Sequence, residues 1–157
     1  METLWAPWRM TYIEKANPST CVFCEAPSTR DDEKDYLLYR GKSVFILMNL
    51  YPYNPGHLMI APYRHIDDLE KLSPEERLEL IQETARSTRV LRESMKPDGF
   101  NLGMNQGKVG GAGIEDHLHL HVVPRWNGDT NFMPVVGRTK VIPEDLAATY
   151  RKLASLF

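Results

Sequence analysis

The residues in this chain whose types and spacing best suit chemistry are three alternating histidines, His117-Leu118-His119-Leu120-His121, followed by Val122-Val123. Successive side chains of a strand point to opposite faces. The three imidazoles therefore share one face, and Leu118, Leu120 and Val122 share the other. The apolar set suits a core. A row of imidazoles does not, because each buried ring needs partners for two nitrogens. Three readings stay open on the residues alone: a structural row, a metal site using two or three of the rings, and nucleophilic catalysis with neighbours orienting one reactive ring. The segment Gln106 to Gly113 precedes them and carries Gly107, Gly110, Gly111 and Gly113. Glycines let backbone N–H groups crowd around an anion. Alone, such a loop is as well read as a flexible hairpin; directly before a histidine strand it reads as a phosphate pocket beside a nucleophile. His57 follows the turn Asn54-Pro55-Gly56. Cys21-Val22-Phe23-Cys24 has the spacing of half a zinc site and needs two more ligands. A redox dithiol and inert thiols are its rivals, although no βαβ pattern surrounds the pair.

Those residues need a scaffold. Tyr36 to Arg40 and Ser43 to Leu50 read as strands joined by a Gly41-Lys42 turn. Tyr51 to Gly56 is a loop by its Pro52, Asn54, Pro55 and Gly56, and His57 to Ala61 is a third strand. Ser73 opens the strongest helix, with Pro74 at its first position and Glu76 completing a capping box. Leu78, Ile81, Ala85 and Leu91 are expected on its buried face with Met95 nearby, and Pro97-Asp98-Gly99 ends it. Arg86, Arg89 and Arg92 are expected on the solvated side. Phe100 to Met104 and His117 to Val123 are further strands, Pro124 to Thr130 a loop, and Pro143 to Phe157 a terminal helix with Leu146, Tyr150, Leu153 and Phe157 along one side. Before Tyr36, Trp5, Trp8 and scattered prolines suggest an aromatic arm that packs on something. Hairpin strands with one long helix between strand groups define an α+β fold on an antiparallel sheet of about five strands.

Composition narrows the function. The 157 residues make about one domain, with 42% hydrophobic and 25% charged residues, an ordinary globular mix that excludes disordered, collagen-like and coiled-coil classes. Nineteen basic against 21 acidic residues give a net charge of −2, which argues against a nucleic-acid-coating protein and requires any phosphate site to be built locally. The longest apolar run, Val44 to Met48, is far short of the roughly 20 residues that span a bilayer. Glu2 and Trp5 stand where a secretory signal would need a basic flank and an apolar stretch. A cytoplasmic protein without membrane or nucleic-acid partners is the expectation, and two cysteines cannot form a disulfide framework.

His117 to Val123 resembles the signature of the histidine triad (HIT) family. Asn49, the Pro55-Gly56-His57 turn and Gln106 fall at the spacings of its fragile histidine triad branch. The segments Trp5 to Arg9, Met48 to His57 and Val123 to Trp126 look most like the bacterial diadenosine tetraphosphate phosphorylases of that family. The resemblance covers nearly the whole chain. It implies that His119 attacks the α-phosphorus of a nucleotide and becomes a covalent nucleotidyl-histidine, with His121 holding the phosphate or the ring and His57 lying beneath. It also implies that Asn49 reaches the ribose and that Asn105, Gln106 and Gly113 line the phosphates. Lys108 adds a charge to that loop, and Trp126 is a candidate to pack near a base. In related nucleotidyltransferases a cysteine pair joins two histidines, which here would be His65 and His117, so Cys21, Cys24, His65 and His117 are the expected structural zinc ligands.

The expected organisation is an arm at 1–35 carrying the cysteine pair, followed by a histidine triad domain at 36–157. The expected activity is phosphorolysis of diadenosine tetraphosphate to ATP and ADP. A hydrolase or phosphoramidase of the same family is the alternative, and a zinc-stabilised nucleotide-binding protein without turnover is the alternative from another class. Zinc is the expected cofactor, with Mg²⁺ accompanying the nucleotide as an open question, and phosphate and a homodimer or larger assembly complete the set of partners.

Overall fold

A computed structural model of the protein describes residues 21–130 and 144–157. The expected aromatic arm at Trp5 and Trp8 and the first residue of the expected terminal helix, Pro143, lie outside the described residues. A one-turn helix, α1 (Val22–Glu25), passes into a 3₁₀ turn at Ala26–Ser28. Strands β1 (Leu37–Arg40), β2 (Val44–Met48) and β3 (Leu58–Pro62) follow. After a 3₁₀ turn at Leu69–Lys71 comes the long helix α2 (Pro74–Met95), then β4 (Gly99–Met104), β5 (Leu120–Arg125) and α3 (Leu146–Ala154). The five strands form one sheet in the order β1-β2-β3-β5-β4, every neighbouring pair antiparallel.

Strand β2 explains how both sides of the sheet are closed. Its run Val-Phe-Ile-Leu-Met is buried throughout, as expected for a strand covered on both faces. Val44, Ile46 and Met48 join Leu58, Ile60, Leu120 and Val122 in the main core, against Leu80, Val90 and Leu91 of α2 and Tyr150 and Leu153 of α3. Phe45 and Leu47 point the other way and meet Phe23, Ala26, Leu37, Met59 and Ala61. The segment bearing the cysteine pair is therefore the lid of the second core.

Helix α2 starts as its sequence requires. The Ser73 hydroxyl accepts from the Glu76 N–H, and the Glu76 carboxylate accepts from the Ser73 N–H. Leu91 is buried and Met95 packs on the core as expected, but Leu78, Ile81 and Ala85 are exposed, and Leu80, Thr84, Ser87 and Val90 are buried in their place. The buried stripe mixes small polar residues with the larger apolar ones. Thr84 satisfies its hydroxyl on the Leu80 carbonyl at 2.7 Å, so a polar residue can serve the core face. Arg86 is not simply solvated, because its guanidinium lies 4.1 Å from the centre of the Tyr39 ring.

Several boundaries also shift. Tyr36 adopts a left-handed backbone with φ 51° and precedes β1. Strand β5 begins at Leu120, so His117 and His119 lie in the extended lead-in. It continues through Pro124 and Arg125, which pair with Phe100 and Gly99 and were expected in a loop. In an antiparallel strand a residue's nitrogen and carbonyl face the same neighbour. The Pro124 carbonyl accepts from the Asn54 side chain at 3.0 Å, on the side away from β4, so the missing N–H costs no bond to β4. Helix α3 starts after Asp145, whose carboxylate caps the Ala148 N–H at 2.9 Å, and it stops at Ala154, short of Phe157.

Candidate active and metal-binding sites

The histidines gather on the α1 side of the sheet. Leu118 and Leu120 enter the main core, so the intervening His117 and His119 turn towards Phe23. Strand pairing sets His121 directly opposite Met59 on β3 and Gly103 on β4. His57, at the start of β3, stands beside His121 with ring centres 5.1 Å apart.

Hydrogen bonds determine the proton positions. A carbonyl can only accept, so the 2.8 Å contact between His119 Nδ1 and the His117 carbonyl places the His119 proton on Nδ1. Its lone pair is then on Nε2. The Tyr53 backbone N–H donates to His57 Nδ1 at 3.1 Å, and the Asn49 amide approaches the same nitrogen at 3.4 Å. His57 Nδ1 therefore accepts, and Nε2–H donates to His121 Nδ1 at 2.9 Å. A neutral His121 then carries its own proton on Nε2. Tautomers thus pass along a chain from the Tyr53 backbone to His121. Burial pushes the His119 imidazole below the ordinary histidine value, against a smaller opposing effect of the His117 carbonyl. The ring stays neutral, and so nucleophilic, at pH 7.

The loop before His57 is fixed by charge. Asp129 Oδ2 accepts from the Asn54 amide at 2.7 Å and from Arg125 Nε at 2.6 Å, and Oδ1 accepts from Arg125 Nη2 at 2.9 Å. The Trp126 N–H also donates to Oδ2 at 3.2 Å. The Arg125 guanidinium holds the Asp129 carboxyl well below the usual carboxylate range. Asn54 in turn accepts from the His57 N–H at 3.1 Å.

Of the other expected site residues, Asn49 is the one whose side chain contacts this histidine group, through His57. The Asn49 side-chain Oδ1 accepts from the Tyr51 N–H at 2.9 Å. Asn105 approaches the Gly111 carbonyl at 3.4 Å. Gln106, Lys108 and Gly113 are exposed on the glycine loop. Gly107 and Gly111 have φ of 68° and 85°, and a Cβ on Gly110 would lie 2.3 Å from the Gln106 carbonyl oxygen, so three of the four glycines are required by backbone geometry. Trp126 is half-buried, and its ring N–H donates to the Met95 carbonyl at the end of α2 at 3.3 Å. One feature was missed in the sequence. Gly103 shares its sheet face with His121, and a Cβ there would meet nothing within 4 Å. A glycine inside a strand is the available signal for a place that a ligand approaches.

Cys21, Cys24, His65 and His117 form a second group, whose ligand atoms all lie within 4.8 Å of one another. Cys21 Sγ is 3.3 Å from His117 Nδ1, and Cys24 Sγ is 3.3 Å from His65 Nδ1 and 3.6 Å from His117 Nδ1. Tetrahedral ligands of zinc stand about 3.5 Å apart, so the arrangement fits. His117 Nε2–H donates to the Pro62 carbonyl at 2.9 Å, which leaves Nδ1 as the metal-facing lone pair and fixes the ring. Burial lowers the proton affinity of His117, favouring the neutral form a metal needs. Burial also raises the Cys24 thiol, with Cys21 beside it adding to the effect, and a bound cation would oppose that rise. The two cysteines are free thiols. These four residues can hold a metal ion.

The HIT domain family model matches residues 30–128. An AP-4-A phosphorylase from Mycobacterium tuberculosis is 43% identical over 99% of this chain and 84% of its own length. The chain belongs to the HIT family. A Zn-bound histidine triad family protein from Mycobacterium smegmatis is 29% identical, with a TM-score of 0.69 over 87% of this chain and 92% of its own. A bis(5'-adenosyl)-triphosphatase from Dictyostelium discoideum is 35% identical over 52% of this chain and 54% of its own length.

Proposed function

We propose that the protein is a nucleotidyltransferase that phosphorolyses diadenosine tetraphosphate to ATP and ADP. The observation that carries this reading is the near full-length identity to an AP-4-A phosphorylase, to which the geometry of His119 adds a mechanism. The Nε2 lone pair of His119 attacks the α-phosphorus, and the bond to the bridging oxygen breaks with its electron pair, releasing ATP. His121 Nε2–H donates to the phosphate oxygens, and His57 holds His121 in the donor tautomer. A phosphate oxygen then attacks the same phosphorus, returns the pair to Nε2 and gives ADP. Asn49 is assigned to the ribose, and Asn105, Gln106, Lys108 and Gly113 to the phosphates, where glycine N–H groups can converge. Trp126 is assigned to the base side.

Zinc is the metal assigned to Cys21, Cys24, His65 and His117. Four N/S ligands make a closed, structural site, which would pin the arm at 1–35 to the histidine triad body at 36–157. Magnesium is assigned to the substrate, carried on the polyphosphate oxygens. The thiol pair suits the reducing cytoplasm. Strand β4 is an edge of the sheet, and its Leu102 is exposed. This edge suits pairing with a second copy as a homodimer.

The competing reading is asymmetric hydrolysis, favoured by the similarity to the triphosphatase. Incubation of the enzyme with diadenosine tetraphosphate, with and without millimolar phosphate, separates them. ADP formed only with phosphate supports phosphorolysis; AMP and ATP at a rate indifferent to phosphate means hydrolysis.

A further inference from the structure

Phe23 belongs to the cysteine turn, yet its ring is wholly buried between two histidines of different assignment. Its centre is 5.3 Å from that of His117, tilted by 49°, and 4.7 Å from that of His119, tilted by only 30°. His121 meets His119 edge-on at 4.9 Å and 76°. His119 thus has an aromatic face on one side and the edge contact of His121 as a second ring contact, with a single in-plane anchor at the His117 carbonyl. One hydrogen bond fixes the tautomer but leaves the ring free to swing about it. The tilted Phe23 ring, 4.7 Å away, supplies the further constraint on the plane of the ring, and hence on the direction of the Nε2 lone pair.

We infer that Phe23 is a positioning residue for the nucleotidyl transfer, acting through the His119 ring by face contact. When Nε2 bonds to phosphorus and the bridging P–O bond releases its pair to the departing nucleotide, Nδ1 keeps its proton and the imidazole becomes cationic. An aromatic ring within about 6 Å of a desolvated cation attracts it. The same ring attracts the neutral imidazole of the resting enzyme much less strongly, so the stabilisation grows as the P–N bond forms, which is the condition for an effect on rate rather than on binding. The cysteine turn is therefore part of the reacting centre as well as of the metal site. The inference rests on His119 being the nucleophile.

The test is the rate of adduct formation, by rapid quench and mass spectrometry, at saturating diadenosine tetraphosphate. Phe23→Leu should slow adduct formation on the order of tenfold with dinucleotide affinity and metal content unchanged. Replacing Phe23 by phenylalanines of increasing ring fluorination keeps the shape while weakening the negative face, so it probes the effect without disturbing the fold. A stepwise fall in rate with fluorination supports the inference. A flat series, or a Phe23→Leu enzyme that retains metal and reacts at the parent rate, overturns it while leaving His119 as nucleophile. A parent enzyme that forms no adduct on His119 overturns both.

Discussion

Substituting Asp129→Asn removes one charge and almost no volume from the clamp that holds the loop before His57. The carboxylate accepts from Arg125 at 2.6 and 2.9 Å, from Asn54 at 2.7 Å and from the Trp126 N–H at 3.2 Å. Both oxygens face donors, so whichever way the new amide turns, its NH₂ opposes an N–H. Hydrogen bonds to charged groups contribute about 1.5–3 kcal/mol each. The Arg125 side chain is 43% exposed, so solvent screening takes that contribution to its lower end. A loss of about 1.5 kcal/mol at pH 7 is expected, measured by urea unfolding of parent and variant. The pH dependence has a definite sign. The folded-state pKa of Asp129 is depressed, chiefly by the Arg125 hydrogen bonds. Its stabilisation is complete above the unfolded carboxylate value of about 3.9 and is lost as pH falls towards the folded value. The gap between parent and variant should therefore be level from pH 7 to about pH 5 and narrow below about pH 4. A gap under roughly 0.5 kcal/mol at pH 7, or one unchanged down to pH 3, would refute the reasoning.

Removal of the metal should lower thermal stability before it affects the chemistry, because the four ligands close the site; elemental analysis of protein prepared without chelator should give one zinc per chain, and its absence would sink the assignment. Cys24→Ser should reproduce the chelator's effect on the melting temperature, and a variant that melts with the parent and keeps its zinc would count against Cys24 as a ligand. Gly103→Val should fold normally, since valine suits a strand, yet lose at least tenfold in kcat/KM for the dinucleotide, roughly the effect of a contact worth 1.4 kcal/mol; unchanged kinetics would mean that the space beside His121 is not used.

The sequence carried the chemistry more legibly than the packing. Alternation in His117 to His121 sets three rings on one face wherever the segment is extended, so the reading survives the discovery that β5 begins only at Leu120. The metal group was legible through the family resemblance, because nothing in local spacing brings His65 to Cys24. The buried face of α2 was misread because Leu78 and Ile81 dominated the apolar pattern. The helix rests on Leu80, Val90 and Leu91 with Thr84 and Ser87 between them, small residues whose role depends on how closely the sheet approaches. Pro124 looked like a loop because its missing N–H matters only on one side of a strand, and sequence does not say which side. Gly103 left only the signal of a glycine inside a strand, and Phe23 left none of its function, since openness beside His121 and ring contact with His119 are both products of tertiary structure.

The central claim is that His119 carries the nucleotidyl group. Brief mixing of the enzyme with diadenosine tetraphosphate without phosphate, followed by acid-avoiding quench and peptide mass spectrometry, addresses it directly. The account predicts an adenylyl adduct on the peptide containing His119, absent in His119→Ala, which should fold normally and lose at least about two orders of magnitude in turnover. An adduct-free enzyme that still turns over, or a His119→Ala variant retaining half the parent activity, would contradict it.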